Sequence, residues 1–194
     1  TSICSDKTGT LTTNEMIVEQ IYINDEIYYG QAEGFNNPAL EKILKIGAIC
    51  NNAEIKGSSL KDKLDSLKDS IIGKKSKQKI IGDPTEGALL LAAQKAGIEK
   101  EDLKANYQQL LEIPFSSNRK RMSVIAKSDN QAELFIKGAP EVILERAQYY
   151  YHRGAVKRLT ANKKKEILRK NHKFASQALR VLALGYKELQ GSIK

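Results

Sequence analysis

Residues 6–12 read Asp6-Lys7-Thr8-Gly9-Thr10-Leu11-Thr12, a string whose residue types suit phosphoryl transfer. It follows a short apolar stretch, Ile3-Cys4, that can end a buried strand. Asp6 then stands at a strand's carboxyl end, where open α/β sheets gather their ligands. A carboxylate in that place can attack a phosphoryl group and form an acyl phosphate. Gly9, with Thr8 and Thr10, lets backbone amides come close to phosphate oxygens, and Lys7 brings a positive charge toward the group in transfer. A solvated Asp at a strand-to-turn junction would explain a single Asp-Lys pair, but it accounts poorly for the whole string.

The elements that must position such chemistry follow from pattern and turn residues. Residues 16–29 alternate loosely between apolar and polar and predict two short strands around Asn24-Asp25. Asn37-Pro38 signals a helix start, with Leu40, Ile43, Leu44, Gly47 and Cys50 along one face. Residues 55–79 have the character of an insertion. Leu60, Leu64, Leu67 and Ile71 fall there at helical spacing, and Gly73-Lys74-Lys75-Ser76-Lys77 reads as a loop. Asp83 can cap a helix opened by Pro84 that stops near Gly97. Residues 111–137 carry strand signals around Ser128-Asp129-Asn130, a hairpin by turn chemistry. Pro140 opens a further helix, and residues 149–159 suggest a second hairpin about Arg153-Gly154. Thr160 can cap a helix carrying Ile167, Leu168, Phe174, Ala175 and Leu179, and residues 181–186 close as a strand. Hairpins mixed with helices predict an α+β fold, an antiparallel sheet flanked by helices.

The 194 residues suffice for one good core, and 41% hydrophobic with 28% charged residues is ordinary for a globular domain. No run approaches the roughly 20 apolar residues that cross a bilayer, and a signal peptide is not expected among the first residues given. Cys4 and Cys50 have no metal-ligand spacing and are expected to be free thiols. His152 and His172 stand apart from each other and from any carboxylate cluster, so neither is expected to act in catalysis or hold a metal. The net charge of +9 is concentrated in residues 56–79 and 153–173, which leaves the remainder net negative. Neither segment interleaves aromatics as single-strand binders do, so nucleic acid is not an expected partner. A solvated basic face, with some attraction for anionic nucleotides or headgroups, is the better account.

Residues 6–12 resemble the phosphorylation motif of P-type ATPases, membrane pumps that drive ions or lipids through an aspartyl-phosphate intermediate. The resemblance implies that Asp6 is the phosphorylated nucleophile, with Lys7, Thr8, Gly9 and Thr10 near the phosphate. It also implies Mg²⁺ held by Asp6 and the Thr8 backbone carbonyl. Related hydrolases place a second Asp two residues after the nucleophile as general acid-base. Thr8 holds that position here, which should slow hydrolysis of the acyl phosphate. Four later stretches resemble the nucleotide-binding domain of the type II, calcium-pump-like members. They are Gly82-Asp83-Pro84-Thr85-Glu86, the run from Phe115 to Ser123, Phe135-Ile136-Lys137-Gly138-Ala139-Pro140-Glu141, and Ala178-Leu179-Arg180-Val181-Leu182-Ala183. With residues 6–12 they occur in the family's order across nearly the whole chain.

That likeness gives each residue a role. Phe115 would stack on adenine; a core Phe following Pro114 is the less favoured alternative. Lys137, ending an apolar strand before Gly138, would lie at the bottom of the adenine pocket. In that role it is expected to be dispensable for stability. Lys120 would line the site and Arg180 would stand near the polyphosphate; outside the likeness, each of these three cations would read as a solvated surface charge. Glu86 would accept a hydrogen bond from the adenine amino group, or alternatively complete a capping box with the Asp83 backbone N–H. Ser117 departs from the calcium-pump pattern, which has an Arg there, so the resemblance does not carry a phosphate contact over to that position.

The expectation is therefore a fragment of a phosphorylation domain (residues 1–14), a nucleotide-binding domain (15–187) and a tail or return linker (188–194). ATP and Mg²⁺ are the implied cofactors. The partners would be the remaining phosphorylation, actuator and transmembrane domains of a cation pump, and the site would face the cytoplasm. The 194 residues alone are expected to be monomeric and to bind ATP without turning it over, because the family's downstream Thr-Gly-Asp and Gly-Asp-Gly strings occur nowhere in them. A non-catalytic nucleotide sensor and a basic nucleic-acid-binding module are the competing classes.

Overall fold

The computed structural model describes residues 16–30, 37–56, 79–129 and 131–190. The Asp6 string, Cys4, the amphipathic stretch from Leu60 to Ile71 and the Gly73-to-Lys77 loop lie outside the described residues.

Strands β1 (Gln20–Ile23) and β2 (Glu26–Tyr29) form the first hairpin. Asn24 and Asp25 turn it with φ of 57° and 68°, the left-handed pair that matches strand twist and that these two residue types tolerate. Helix α1 (Pro38–Ile49) follows, with the Asn37 side chain accepting from Ala39 N and Pro38 in the first turn. Strands β3 (Glu54–Lys56) and β4 (Lys79–Ile81) pair antiparallel across residues 57–78. Helix α2 (Pro84–Lys95) is capped by the Asp83 carboxylate, and the short α3 (Lys100–Asn106) comes next.

The main sheet has four antiparallel strands in the order β10-β7-β6-β5. They are β5 (Gln108–Ser116), β6 (Arg121–Ser128), β7 (Gln131–Gly138) and β10 (Ala183–Leu189). Between β7 and β10 lie α4 (Pro140–Arg146), the hairpin β8 (Tyr149–His152) with β9 (Ala155–Arg158), and α5 (Ala161–Ser176). The α+β architecture is thus the expected one. Strand β10 runs past residue 187, to Leu189.

Helix α1 is the shared wall of two cores. Leu40, Leu44 and Ala48 pack with Ala53, Leu90, Ala93 and Leu103 toward α2 and α3. Ile46 and Cys50 pack on Met122, Val124, Ala126 and Phe135 of the sheet. Cys50 is fully buried, and that burial pushes its thiol up to about 12. On the sheet's other face Ile143 of α4 and Ile136 of β7 both stand close to Gly185.

A polar cluster ties the first hairpin to α5 and to the β8–β9 hairpin. Lys163 pairs with Asp25 and with Glu166, the latter at 3.0 Å, and the Tyr22 hydroxyl lies 3.1 Å from each carboxylate. Arg153 N donates to Asn24 Oδ1 at 2.7 Å, and His152 Nδ1 stands 3.7 Å from Asp25. Helix α5 ends earlier than the apolar spacing predicts. Ala178 adopts φ 60°, its N–H returning to Ala175 O and that of Leu179 to Phe174 O, so Leu179 lies beyond the helix. Among the described residues no helix is long and apolar enough to cross a membrane.

Candidate functional site

Sheet register assembles the site. Met122 of β6 pairs with Lys137 of β7, and Lys137 with Leu184 of β10. Strand β5 carries a register shift between Ile113 and Ser116, where Ser116 regains pairing with Arg121. Pro114 supplies the extra residue; a proline fits there because β5 is an edge strand and the bulge leaves its position without a ladder bond. The bulge restarts the alternation, so Glu112 and Phe115 turn to the same face. Phe115 stands beside Met122 in a row that continues to Lys137. It is 60% exposed at the open end of that row, which removes the core alternative for it.

Lys137 is the opposite case. Only 6% exposed, its Nζ sits 2.8 Å from Glu86 Oε1, which comes from the first turn of α2, 51 residues earlier. It is no surface charge, and the expectation that it is dispensable for stability gives way to one in which it anchors a buried ion pair. Glu86 Oε2 accepts from Asn52 N at 2.9 Å. The capping-box alternative for Glu86 is overturned. The Asp83 carboxylate caps Thr85 N and Glu86 N, but the Glu86 carboxylate turns inward to Lys137 and Asn52, because a buried ammonium is the stronger partner.

The other predicted residues gather on the same rim. Gly138 follows Lys137, and a Cβ there would stand 2.5 Å from Lys120 O and 2.8 Å from Arg121 Cα, so only glycine allows the β5–β6 turn to close on β7. Lys120 itself holds φ 51° in that turn, its carbonyl accepting from Ala139 N at 3.0 Å and its side chain exposed. Ser117 is exposed in the same turn. Arg180, two residues past the left-handed Ala178, donates to Thr85 Oγ1 at 2.8 Å and lies near Asp83, whose carboxyl is held below its ordinary value by its Thr85 and Glu86 hydrogen bonds against the opposing effect of burial. Thus Glu86, Phe115, Lys120, Lys137, Gly138 and Arg180 come from four separate stretches to one edge of the domain. Asp6, Lys7, Thr8, Gly9 and Thr10 lie outside the described residues.

Sequence reasoning missed the loop that completes this rim. Asn51, 4% exposed, donates through Nδ2 to the carbonyls of Gly47 and Glu86 and accepts at Oδ1 from Ala53 N. Asn52 Nδ2 donates to Glu112 Oε1 at 2.7 Å. The one available signal was the Asn51-Asn52 pair at the end of a helical pattern, and nothing local says which helix it braces. Two concavities lie away from this edge: one is lined by Glu54, Leu90 and Lys104, another by Lys45, Leu103 and Asp129. The edge thus sets an exposed ring, Phe115, beside a charged floor made by Lys137 and Glu86. Among the described residues no group of three or more His, Cys, Asp or Glu could hold a metal ion.

Residues 39–193 match the family described as P-type ATPase, cytoplasmic domain N. The chain is 33% identical over 205 residues to the calcium-transporting ATPase of Bacillus subtilis (strain 168), a stretch that is 97% of this chain and 21% of that protein. It is likewise 33% identical over 203 residues to the human calcium-transporting ATPase type 2C member 1, covering 94% of this chain and 20% of that protein. For calcium-transporting ATPase 1 of Lactococcus lactis the figures are 32% over 187 residues, 95% and 19%. The chain spans about a fifth of the length of these curated relatives.

Proposed function

Because the chain belongs to the family of P-type ATPase cytoplasmic domain N, we propose that it is the ATP-binding part of a cation-transporting ATPase, working on the cytoplasmic face of a membrane. The names of its relatives point to calcium as the cation. The supporting observation is the Glu86–Lys137 pair, a carboxylate acceptor and an ammonium donor 2.8 Å apart in the same row as an exposed aromatic ring. An adenine edge presents an amino donor beside a ring-nitrogen acceptor, the complement of that pair. The purine would lie on Phe115, a contact worth about 1–3 kcal/mol. Guanine reverses the pattern, with a carbonyl oxygen and a ring N–H, and would leave both charges facing like groups.

With the base seated, Lys120 and Arg180 stand on the exposed rim where a polyphosphate would leave the pocket. Closure onto the phosphorylation loop would bring the γ-phosphate to Asp6. A carboxylate oxygen of Asp6 would then bond to the γ-phosphorus as the bond to the bridging oxygen breaks and ADP departs. Asp6 and the Thr8 carbonyl are hard oxygen donors of the kind Mg²⁺ takes, and the ion would offset charge on the phosphate oxygens. Titrating the 194-residue chain with ATP, ADP and GTP while following amide shifts tests the pocket. ATP and ADP should bind alike and GTP more weakly, with shifts at Glu86, Phe115 and Lys137. Equal binding of GTP, or shifts that avoid those residues, would sink the adenine assignment.

A further inference from the structure

Lys100 breaks a local rule. It occupies the first position of α3, where the helix dipole favours acids over cations, and no side chain caps that helix at Glu99. It is half-buried as well, and loss of solvent pulls its pKa below the ordinary lysine value. Neither its helix nor its packing explains a cation there. Its hydrogen bonds do: Nζ donates to Asn51 O at 2.8 Å and to Ala53 O at 2.7 Å.

Those two carbonyls flank Asn52, whose N–H holds Glu86 Oε2. Asn51 ties the same loop to α1 and to the Glu86 backbone. We infer that Lys100 is a positioning residue for base recognition: by gripping the carbonyls on either side of Asn52, it fixes the amide that aims the Glu86 carboxylate at Lys137. This rests on the adenine pocket proposed above. When a base takes its share of the Lys137 donors, the oxygen held by Asn52 keeps Glu86 in its orientation. An ammonium suits the task because its three donors can serve two carbonyls at once. Lys100 touches neither base nor phosphate in this arrangement.

The test compares Lys100→Met, which keeps the apolar stem and removes the donors, with Lys100→Arg and with Glu86→Gln, alone and combined. Lys100→Met should weaken ATP binding about tenfold, the scale of residues coupled through one hydrogen-bond network, and narrow the ATP-to-GTP ratio by a similar factor. The Asn52 amide proton should move upfield as its bond to Glu86 lengthens. Lys100→Arg should recover part of the ratio. In the Glu86→Gln background, Lys100→Met should add no further loss of selectivity. Equal weakening of ATP and GTP, or full additivity with Glu86→Gln, would make Lys100 a brace for stability alone and overturn the inference. Should Lys100→Met fail to fold, Lys100→Gln, too short to reach both carbonyls, decides: a wild-type ratio with an unmoved Asn52 amide would refute it equally. A wild-type chain that does not discriminate ATP from GTP would instead overturn the adenine pocket, and this inference with it.

Discussion

Replacing Glu86 by Leu should destabilise the nucleotide-free chain by about 3 kcal/mol. The Lys137–Glu86 contact is 2.8 Å long, and the two side chains are 7% and 16% exposed. At an effective dielectric near 20 the attraction is about 6 kcal/mol, and desolvation of the two ions costs about as much, so the intact pair is close to neutral. Removing one partner forfeits the attraction and leaves the other's penalty standing. Lys137 would keep a nearly full penalty, giving the lower end of the roughly 3–5 kcal/mol seen for broken buried pairs. Lys137→Met should cost less, about 2 kcal/mol, since Glu86 keeps the Asn52 N–H and some solvent. With the intact pair close to neutral, the double variant should stay near wild type, about 5 kcal/mol below the sum of the singles, a coupling that marks a direct interaction. Urea denaturation of the four proteins without nucleotide supplies the cycle, and thermal midpoints of the first single variant should fall by about 6–12 °C. If Glu86→Leu stays within about 0.5 kcal/mol of wild type, or the singles add, the buried-pair reasoning is refuted.

Phe115→Ala should lower ATP affinity by about 1–3 kcal/mol in calorimetry while barely moving the thermal midpoint, because the ring is 60% exposed. Asp25 and Glu166 have carboxyls held below the ordinary range chiefly by the Lys163 hydrogen bond, so they lend stability above their unfolded values of about 3.9 and 4.3 and lose it as pH falls through the lower folded values. Urea midpoints should therefore drop below about pH 4, and Lys163→Met should flatten that acid limb; an unchanged slope would count against the cluster. Ala178→Gly should raise stability by about 1 kcal/mol by relieving a left-handed alanine, read as a higher urea midpoint at unchanged m-value.

Local chemistry made much of the fold legible. Asn24-Asp25, Asn37-Pro38, Asp83-Pro84 and Thr160 announce their turns and caps because each acts on backbone within three residues. Helix α3 escaped notice, being seven residues long with a lysine at its start and no capping side chain. The end of α5 was misplaced because an alanine takes the left-handed position usually marked by glycine. The family likeness nominated candidate site residues, but it did not reveal how Glu86, Phe115 and Lys137 are arranged. Nothing near Glu86 reveals a partner 51 residues away, and nothing in Pro114 says that its bulge turns Phe115 toward Lys137. Such facts belong to register and long-range packing, which local pattern does not carry.

The β3–β4 ladder has a consequence for how this domain tolerates change. Lys56 pairs with Lys79, so residues 57–78 depart from and return to adjacent points on the frame. The separation of those points is fixed by a strand pair, whatever length of chain runs between them. Doubling that length would add only about 0.6 kcal/mol of closure entropy. Meanwhile Glu54 pairs with Ile81 at the inner end of the ladder, next to the Asn51–Ala53 loop and the Asp83 cap. The ladder thus works as a socket: what is plugged into its outer end can be lengthened, shortened or exchanged for a reporter, while the edge at its inner end keeps its shape.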